Sequence, residues 1–243
     1  MQGQDDRQAY DRGTSLFSPD GRIHQVEYAR KAVRRGSPSI GVRSEEGVAL
    51  IASIGQQPDL VVNDSVEKIH QADQHIGAAS AGHIADGRKL VEYARQQAQQ
   101  ERVRYDEPTD VESLTKEITD HVQQFTQRGG TRPFGAALLV AGVDETGPSL
   151  HEVGPAGSTR AYHAKAIGRE EKDIMDFLSG NYQEELNIEE AVALGIDALE
   201  DALGQDNITE NSVEIATVVP EHGFQYHDPA EDFGNHFSEA DDE

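Results

Sequence analysis

Apolar positions along this chain follow two periods, the helical one and the shorter one of β-strands, and segments of the two kinds alternate. Ile23, Val26, Ala29 and Val33 recur at helical spacing, while Arg22, Arg30, Arg34 and Arg35 keep the rest wet. This predicts an amphipathic helix from about Ile23 with a basic outer face. Residues 38–43 and 47–52 read as two short strands joined by Ser44, Glu45 and Glu46, and residues 76–80 as a third strand rich in small side chains. From Ala85 a long helix puts Leu90, Val91, Ala94 and Ala98 on one side and Arg88, Glu92, Arg95 and Gln99 on the other. Asp110 caps a second helix with a stripe of Val111, Leu114, Ile118 and Val122, which Gly129 and Gly130 end. Strands follow at 133–143, 149–153 and 159–167, then helices at 170–178 and 188–203, then a strand at 213–219. Runs of strands and paired helices in this order suit helices layered on antiparallel sheets, an α+β arrangement.

Before the first helix stands a tight turn, Ser18-Pro19-Asp20-Gly21, in which Pro19 presets φ at the second position and Ser18 and Gly21 suit the ends. After Pro220 the composition shifts to acidic residues with few aliphatics, which reads as a solvated, disordered tail over 221–243. No interior Pro/Gly/Ser-rich run divides the 243 residues, so they read as one domain, 10–220, between that tail and a flexible segment, 1–9.

The formal charge is −24, with 45 Asp and Glu against 21 Lys and Arg. Such a surface repels nucleic-acid phosphates and anionic membranes and excludes both as partners. Lys occurs only at 31, 68, 89, 116, 165 and 172, the other basic residues being Arg. Excess carboxylate with scarce Lys fits a high-salt cytoplasm, where a Debye length of roughly 3 Å screens self-repulsion. Without Cys there is neither a disulfide framework nor a thiolate metal site. The polar first residues lack the apolar core of a signal peptide, and no run approaches the roughly 20 apolar residues of a membrane span. These features predict a soluble, cytoplasmic protein.

Tyr10-Asp11-Arg12, then Phe17-Ser18-Pro19-Asp20-Gly21-Arg22, then Gln25-Val26-Glu27-Tyr28-Ala29 follow one another without gaps, and the string resembles the N-terminal signature of proteasome α-subunits. The resemblance continues through Ser65-Val66-Glu67-Lys68-Ile69, Ala81-Gly82-His83-Ile84-Ala85-Asp86, residues 128–135 and Lys165-Ala166-Ile167-Gly168, and so covers most of the chain. It implies a four-layer α-β-β-α sandwich of the N-terminal-nucleophile hydrolase type with an N-terminal helix. It also implies a place in the outer seven-membered ring of a barrel-shaped protease, beside other α-subunits and β-subunits, where regulatory AAA ATPases dock through their C-terminal tails.

The catalytic alternative is an amidohydrolase that cleaves itself at Gly13-Thr14 and uses Thr14 as an N-terminal nucleophile; an acidic ring scaffold without a protease is a third reading. A hydroxyl activated by its own α-amine also needs a lysine close by. The active relatives are expected to carry that Lys on the strand after the first hairpin, and the stretch 47–53 has none. No catalytic residue, metal site or cofactor is therefore assigned. The ten His form no His-Glu-x-x-His, and neither Gly-x-x-x-x-Gly-Lys-Ser/Thr nor Gly-x-Gly-x-x-Gly occurs.

What the resemblance does assign is binding. Tyr10, Asp11, Arg12, Pro19 and Tyr28 match the cluster that holds the gate open, with residues 1–9 as the plug. Lys68, Gly82 and His83 match the pocket for ATPase tails, where an ammonium suits a chain-terminal carboxylate. Arg128, Gly129, Gly130 and Thr131 match the loop that narrows the pore annulus, the glycines letting seven copies approach one axis. Three positions depart from the family's pattern: His83 where relatives carry Leu, Arg128 where several carry Tyr, and Ser53-Ile54-Gly55-Gln56 in place of an Asp-Lys-Arg-like run.

Overall fold

The computed structural model describes residues 23–55, 60–61, 65–127 and 131–237. Helix α1, His24–Val33, turns Val26, Ala29 and Val33 inward, as its spacing requires. It leads into the hairpin of β1, Ser39–Arg43, and β2, Val48–Ser53. A second hairpin joins β3, Ile69–Asp73, to β4, Ile76–Gly82. Helix α2, Ile84–Tyr105, and helix α3, Val111–Gln127, come next, and the Asp110 carboxylate accepts from the Ser113 N–H to cap α3. Strands β5, Ala136–Asp144, and β6, Gly147–Gly154, are followed by the short β7, Ser158–Ala161, and β8, Ala164–Ile167. Helices α4, Glu171–Asn181, and α5, Ile188–Leu203, precede β9, Val213–Val219. An Asn187–Glu190 capping box starts α5.

The strands form two antiparallel sheets in the orders β10-β9-β2-β1-β8 and β3-β4-β5-β6-β7, where β10 is Gly223–His227. Three apolar layers hold the stack together. Leu50, Leu139, Leu150, Ile167 and Phe224 pack between the sheets. Ile51, Ile174, Val192 and Leu199 pack α4 and α5 onto the first sheet, while Leu90, Leu114, Ile118 and Leu138 pack α2 and α3 onto the second. The result is the four-layer α-β-β-α sandwich expected of the chain.

Three features differ from the sequence reading. Strand β3 escapes it because Ile-His-Gln-Ala-Asp looks polar, yet His70 and Asp73 are buried there. The stretch 159–167 is two strands in different sheets, crossing at Tyr162 and His163: the Tyr162 N–H still donates to Leu150, whereas the His163 carbonyl already accepts from the Arg43 N–H. The tail expected to be disordered from Glu221 is ordered to Phe237. Strand β10 pairs with β9, helix α6, Pro229–Phe233, is capped by Asp228, and Phe233 and Phe237 are buried in the layer under α5. Acidic residues dominate the composition there, but the aromatics between them supply the apolar surface that orders it.

Candidate functional site

Residues 36–38 carry the chain from α1 into β1 at one end of the sandwich, and their neighbours approach closely from both sheets. A Cβ on Gly36 would lie 2.3 Å from the Gly82 nitrogen. On the other side Gly168, at φ 110, would bring a Cβ within 2.8 Å of the Ser37 carbonyl, and the Arg169 N–H donates to the Gly36 carbonyl at 2.8 Å. Only glycine allows the backbone this close.

Lys68 lies under this junction and is 7% exposed. Its Nζ donates to the carbonyls of Ser37 and Pro38, both at 2.8 Å, and of Ser53 at 3.0 Å. One ammonium thereby ties the start of β1, the end of β2 and the head of β3. The Lys68 and Ile69 N–H groups both donate to the half-buried carboxylate of Glu214 on β9. Burial pulls the Lys68 pKa down to about 7, with Arg169 adding to the fall and Glu214 working against it. Three acceptors need three N–H donors, which the ammonium has and the neutral amine lacks, so the geometry holds the charged form. Burial likewise raises the Glu214 pKa, against the two amides and Lys68.

Gly82 ends β4, and His83 is the N-cap residue of α2, its N–H donating to the Gly135 carbonyl at 2.9 Å. One turn on, Asp86 accepts from Arg132 and from the Gly135 N–H at 2.8 Å, fastening the start of α2 to the segment before β5. Burial pushes the Asp86 carboxyl up, but these hydrogen bonds outweigh it and hold the pKa below the usual carboxylate value. The Thr131 hydroxyl donates to the Phe125 carbonyl in the last turn of α3.

Lys68, Gly82 and His83 thus share one end of the sandwich around residues 36–38. Lys68 does not stand free as a surface lysine would. Tyr28 is 45% exposed on α1, with the Lys31 ammonium 5.8 Å from its ring centroid. Tyr10, Asp11, Arg12, Thr14 and Pro19 of the gate and processing readings, and Arg128, Gly129 and Gly130 of the annulus, lie outside the described residues. Two participants escaped the sequence reading: Glu214, within an otherwise apolar strand, and Arg169, directly after Ile-Gly.

A lysine does stand at this end, contrary to the expectation drawn from residues 47–53. The strand that follows the first hairpin is β3, not 47–53, and Lys68 stands immediately before it with its ammonium on the main chain of Ser37. A cation is therefore present at the head of β1. Among the described residues Ser37 carries no free α-amine, because it is joined through Gly36 to the packed helix α1.

At the opposite end, His75 in the β3–β4 turn joins three other segments. Its Nε2 lies 2.8 Å from the Thr109 carbonyl, its Nδ1 3.4 Å from Asp73, and its own carbonyl accepts from the Val143 N–H. Arg102 on α2 donates to both Asp73 oxygens, at 2.8 and 3.0 Å. Burial opposes the Asp73 charge, yet hydrogen bonds from His75, the Gln74 amide and Arg102 bring its pKa to about 2. The hydrogen bond to Asp73 raises that of His75 against burial.

Comparison with known proteins matches this arrangement to one family. Residues 33–218 fit the family described as proteasome subunit, and residues 10–32 fit the N-terminal signature of its A-type members. The proteasome alpha subunit of Halobacterium salinarum is 52% identical over 221 residues, 89% of this chain and 87% of that protein. The proteasome alpha subunit of Natronomonas pharaonis is 50% identical, over 90% of this chain and 86% of the relative. The proteasome alpha 2 subunit of Haloarcula marismortui is 51% identical, over 90% and 88%. With the sandwich, the α-type signature and these relatives together, the chain belongs to the proteasome subunit family and is of its α type.

Proposed function

We propose that this chain is a non-catalytic subunit of the outer α-ring of a cytoplasmic proteasome core, gating substrate access and docking regulatory ATPases, while peptide hydrolysis belongs to partner β-subunits. The observation that carries the reading is the closed head of β1. The α-type signature runs into α1, and α1 continues through residues 36–38 into the first strand, so the end where an N-terminal nucleophile would act is covered by the chain's own helix. A hydroxyl without a free amine or other base beside it is a weak nucleophile at neutral pH.

Surface chemistry supports assembly. Leu60 is 98% exposed, and Ile84, Val103 and Tyr105 are also exposed large apolar side chains, the kind of surface that copies in a ring bury against one another. Lys68, Gly82 and His83 mark the end to which ATPase tails dock. Tyr10, Asp11, Arg12, Pro19 and Tyr28 hold the gate segment, and Arg128 to Thr131 line the annulus. Deleting residues 1–9 should raise the rate at which the assembled particle hydrolyses long peptides and leave short-peptide hydrolysis less changed. An unaltered long-peptide rate would count against the gate.

A further inference from the structure

At the end of the sandwich away from Lys68, the β3–β4 turn, the α2–α3 loop and the β5–β6 and β9–β10 turns surround an open cleft of about 1190 Å³. His75, Arg102, Glu107, Thr109, Asp144 and His222 line it, among others. We infer that His75 is a pH-operated clasp on one wall of this cleft: as the imidazolium it holds the α2–α3 loop, residues 106–110, against the β3–β4 turn, and on losing a proton it lets that loop go.

The charged form follows from what the ring faces. Its Nε2 is 2.8 Å from the Thr109 carbonyl and its Nδ1 3.4 Å from an Asp73 oxygen. Both partners only accept, because Asp73 stays ionised beside the Arg102 guanidinium, which donates to both of its oxygens. A neutral imidazole has one N–H, so either tautomer turns a lone pair on one of these acceptors; the imidazolium gives a donor to each. The surroundings favour the cation. Asp73 stands on its own turn, Asp144 at the end of β5, and Glu107, Asp110 and Glu145 around the cleft, against the Arg102 guanidinium on α2 and His222 in the β9–β10 turn. The hydrogen bond to Asp73 raises the His75 pKa over the opposing effect of burial.

The loop is tied so that one bond decides its position. Asp106 ends α2 with its N–H bonded to the Arg102 carbonyl, and beyond the loop the Val111 N–H is bonded to Asp144. Between these fixed ends, among the described residues, the His75 ring supplies the one hydrogen bond that joins residues 107–109 to another element; the Thr109 hydroxyl reaches only the next carbonyl, that of Asp110. Thr109 is 7% exposed while the clasp is closed. The β3–β4 turn keeps its ties whatever the charge on the ring, because the His75 carbonyl accepts from the Val143 N–H and the Gln74 carbonyl from the Phe224 N–H. Loss of the proton therefore frees the loop and leaves the sheets in place. Because the pKa is raised by folding, the clasp is closed below the ordinary histidine value and opens as pH climbs through the higher folded one.

The chain contains no cysteine, so Thr109→Cys places a single thiol under the clasp, and Ser179→Cys on exposed α4 surface gives a reference. Rings of the full chain in molar salt are reacted with a maleimide from about pH 6 to about pH 9, and the ratio of the two rates removes the change in thiolate fraction common to both. The ratio should rise at least about tenfold in one step, with its midpoint above about 6.5. With His75→Gln added, whose carboxamide does not titrate, the ratio should stay flat. A flat ratio with His75 present, or the same step with His75→Gln, would overturn the clasp. Exchange of the His75 ring C2 hydrogen in the unsubstituted chain, followed by mass spectrometry against pH, needs no cysteine. Its midpoint should also lie above about 6.5 and fall with Asp73→Asn; a midpoint at or below the ordinary value in the unsubstituted chain would refute the charged clasp.

Discussion

Removing the Lys68 side chain would leave the carbonyls of Ser37, Pro38 and Ser53 buried without their shared donor and Glu214 without the cation nearest its carboxylate. Loss of one partner from such a buried charged network costs roughly 3–5 kcal/mol. Lys68→Ala should therefore lower the denaturation midpoint strongly, whereas Arg169→Ala, whose side chain touches no described hydrogen-bond partner, should leave it nearly unchanged; equal midpoints for the two would refute the contrast. His75 yields a pH prediction. It faces Asp73 from its own turn, the Arg102 cation from α2, the Thr109 carbonyl from the α2–α3 loop, and Asp144 at the end of β5. Its pKa is raised in the folded state, so the stabilisation is complete below the unfolded value of about 6.5 and is lost as pH climbs through the higher folded value. The stability gap between wild type and His75→Gln should be widest near pH 6 and narrow by pH 8; a gap that widens with pH would show the sign to be wrong. Residue roles of this kind are only half legible in sequence. Lys68 stands out through Ser-Val-Glu-Lys-Ile, but which way its ammonium faces depends on main-chain carbonyls 15 to 31 positions away, and no local pattern reports those.

Elements are legible where their period is clean. Helix α5 follows the bounds its apolar spacing gives, residue for residue, and β9 reads directly as Val-Glu-Ile-Ala-Thr-Val-Val. Strand β3 is hidden because an edge strand inside a stacked pair of sheets can bury polar side chains that find partners, as Asp73 does with Arg102. The crossing at Tyr162 and His163 is hidden because both halves are β-like and only tertiary pairing separates them. In the C-terminal segment, composition misleads in the other direction. Phe233 packs against the α5 layer and edge-on to His227, whose Nε2 meets the Thr217 hydroxyl at 2.7 Å. Phe233→Ala should cost about 3–5 kcal/mol and raise hydrogen exchange across β10 and α6. Unchanged stability would mean that the acidic composition, not the packing, describes this segment.

At the scale of the whole molecule, the −24 charge and the exposed apolar side chains pull on assembly in opposite ways. Like-charged copies repel at low salt, and molar salt shortens that repulsion to roughly 3 Å, so rings of this chain are expected to need high salt. The sandwich is legible as layered α+β from its pattern, and its identity as a proteasome α-type member from residues 10–32. The proposed non-catalytic role is not legible from the lysine positions, since the strand after the first hairpin is β3 rather than 47–53; the proposal rests instead on the covalent link from α1 through Gly36 to Ser37. The decisive measurement is native mass and peptidase activity of the chain in molar salt, alone and after co-expression with β-subunits of the same cell. An intact N-terminus and inactive rings are expected of the chain alone, and a peptide-hydrolysing barrel only with the β partner. Hydrolysis by the chain alone, lost on Thr14→Ala or accompanied by cleavage before Ser37, would overturn the non-catalytic assignment.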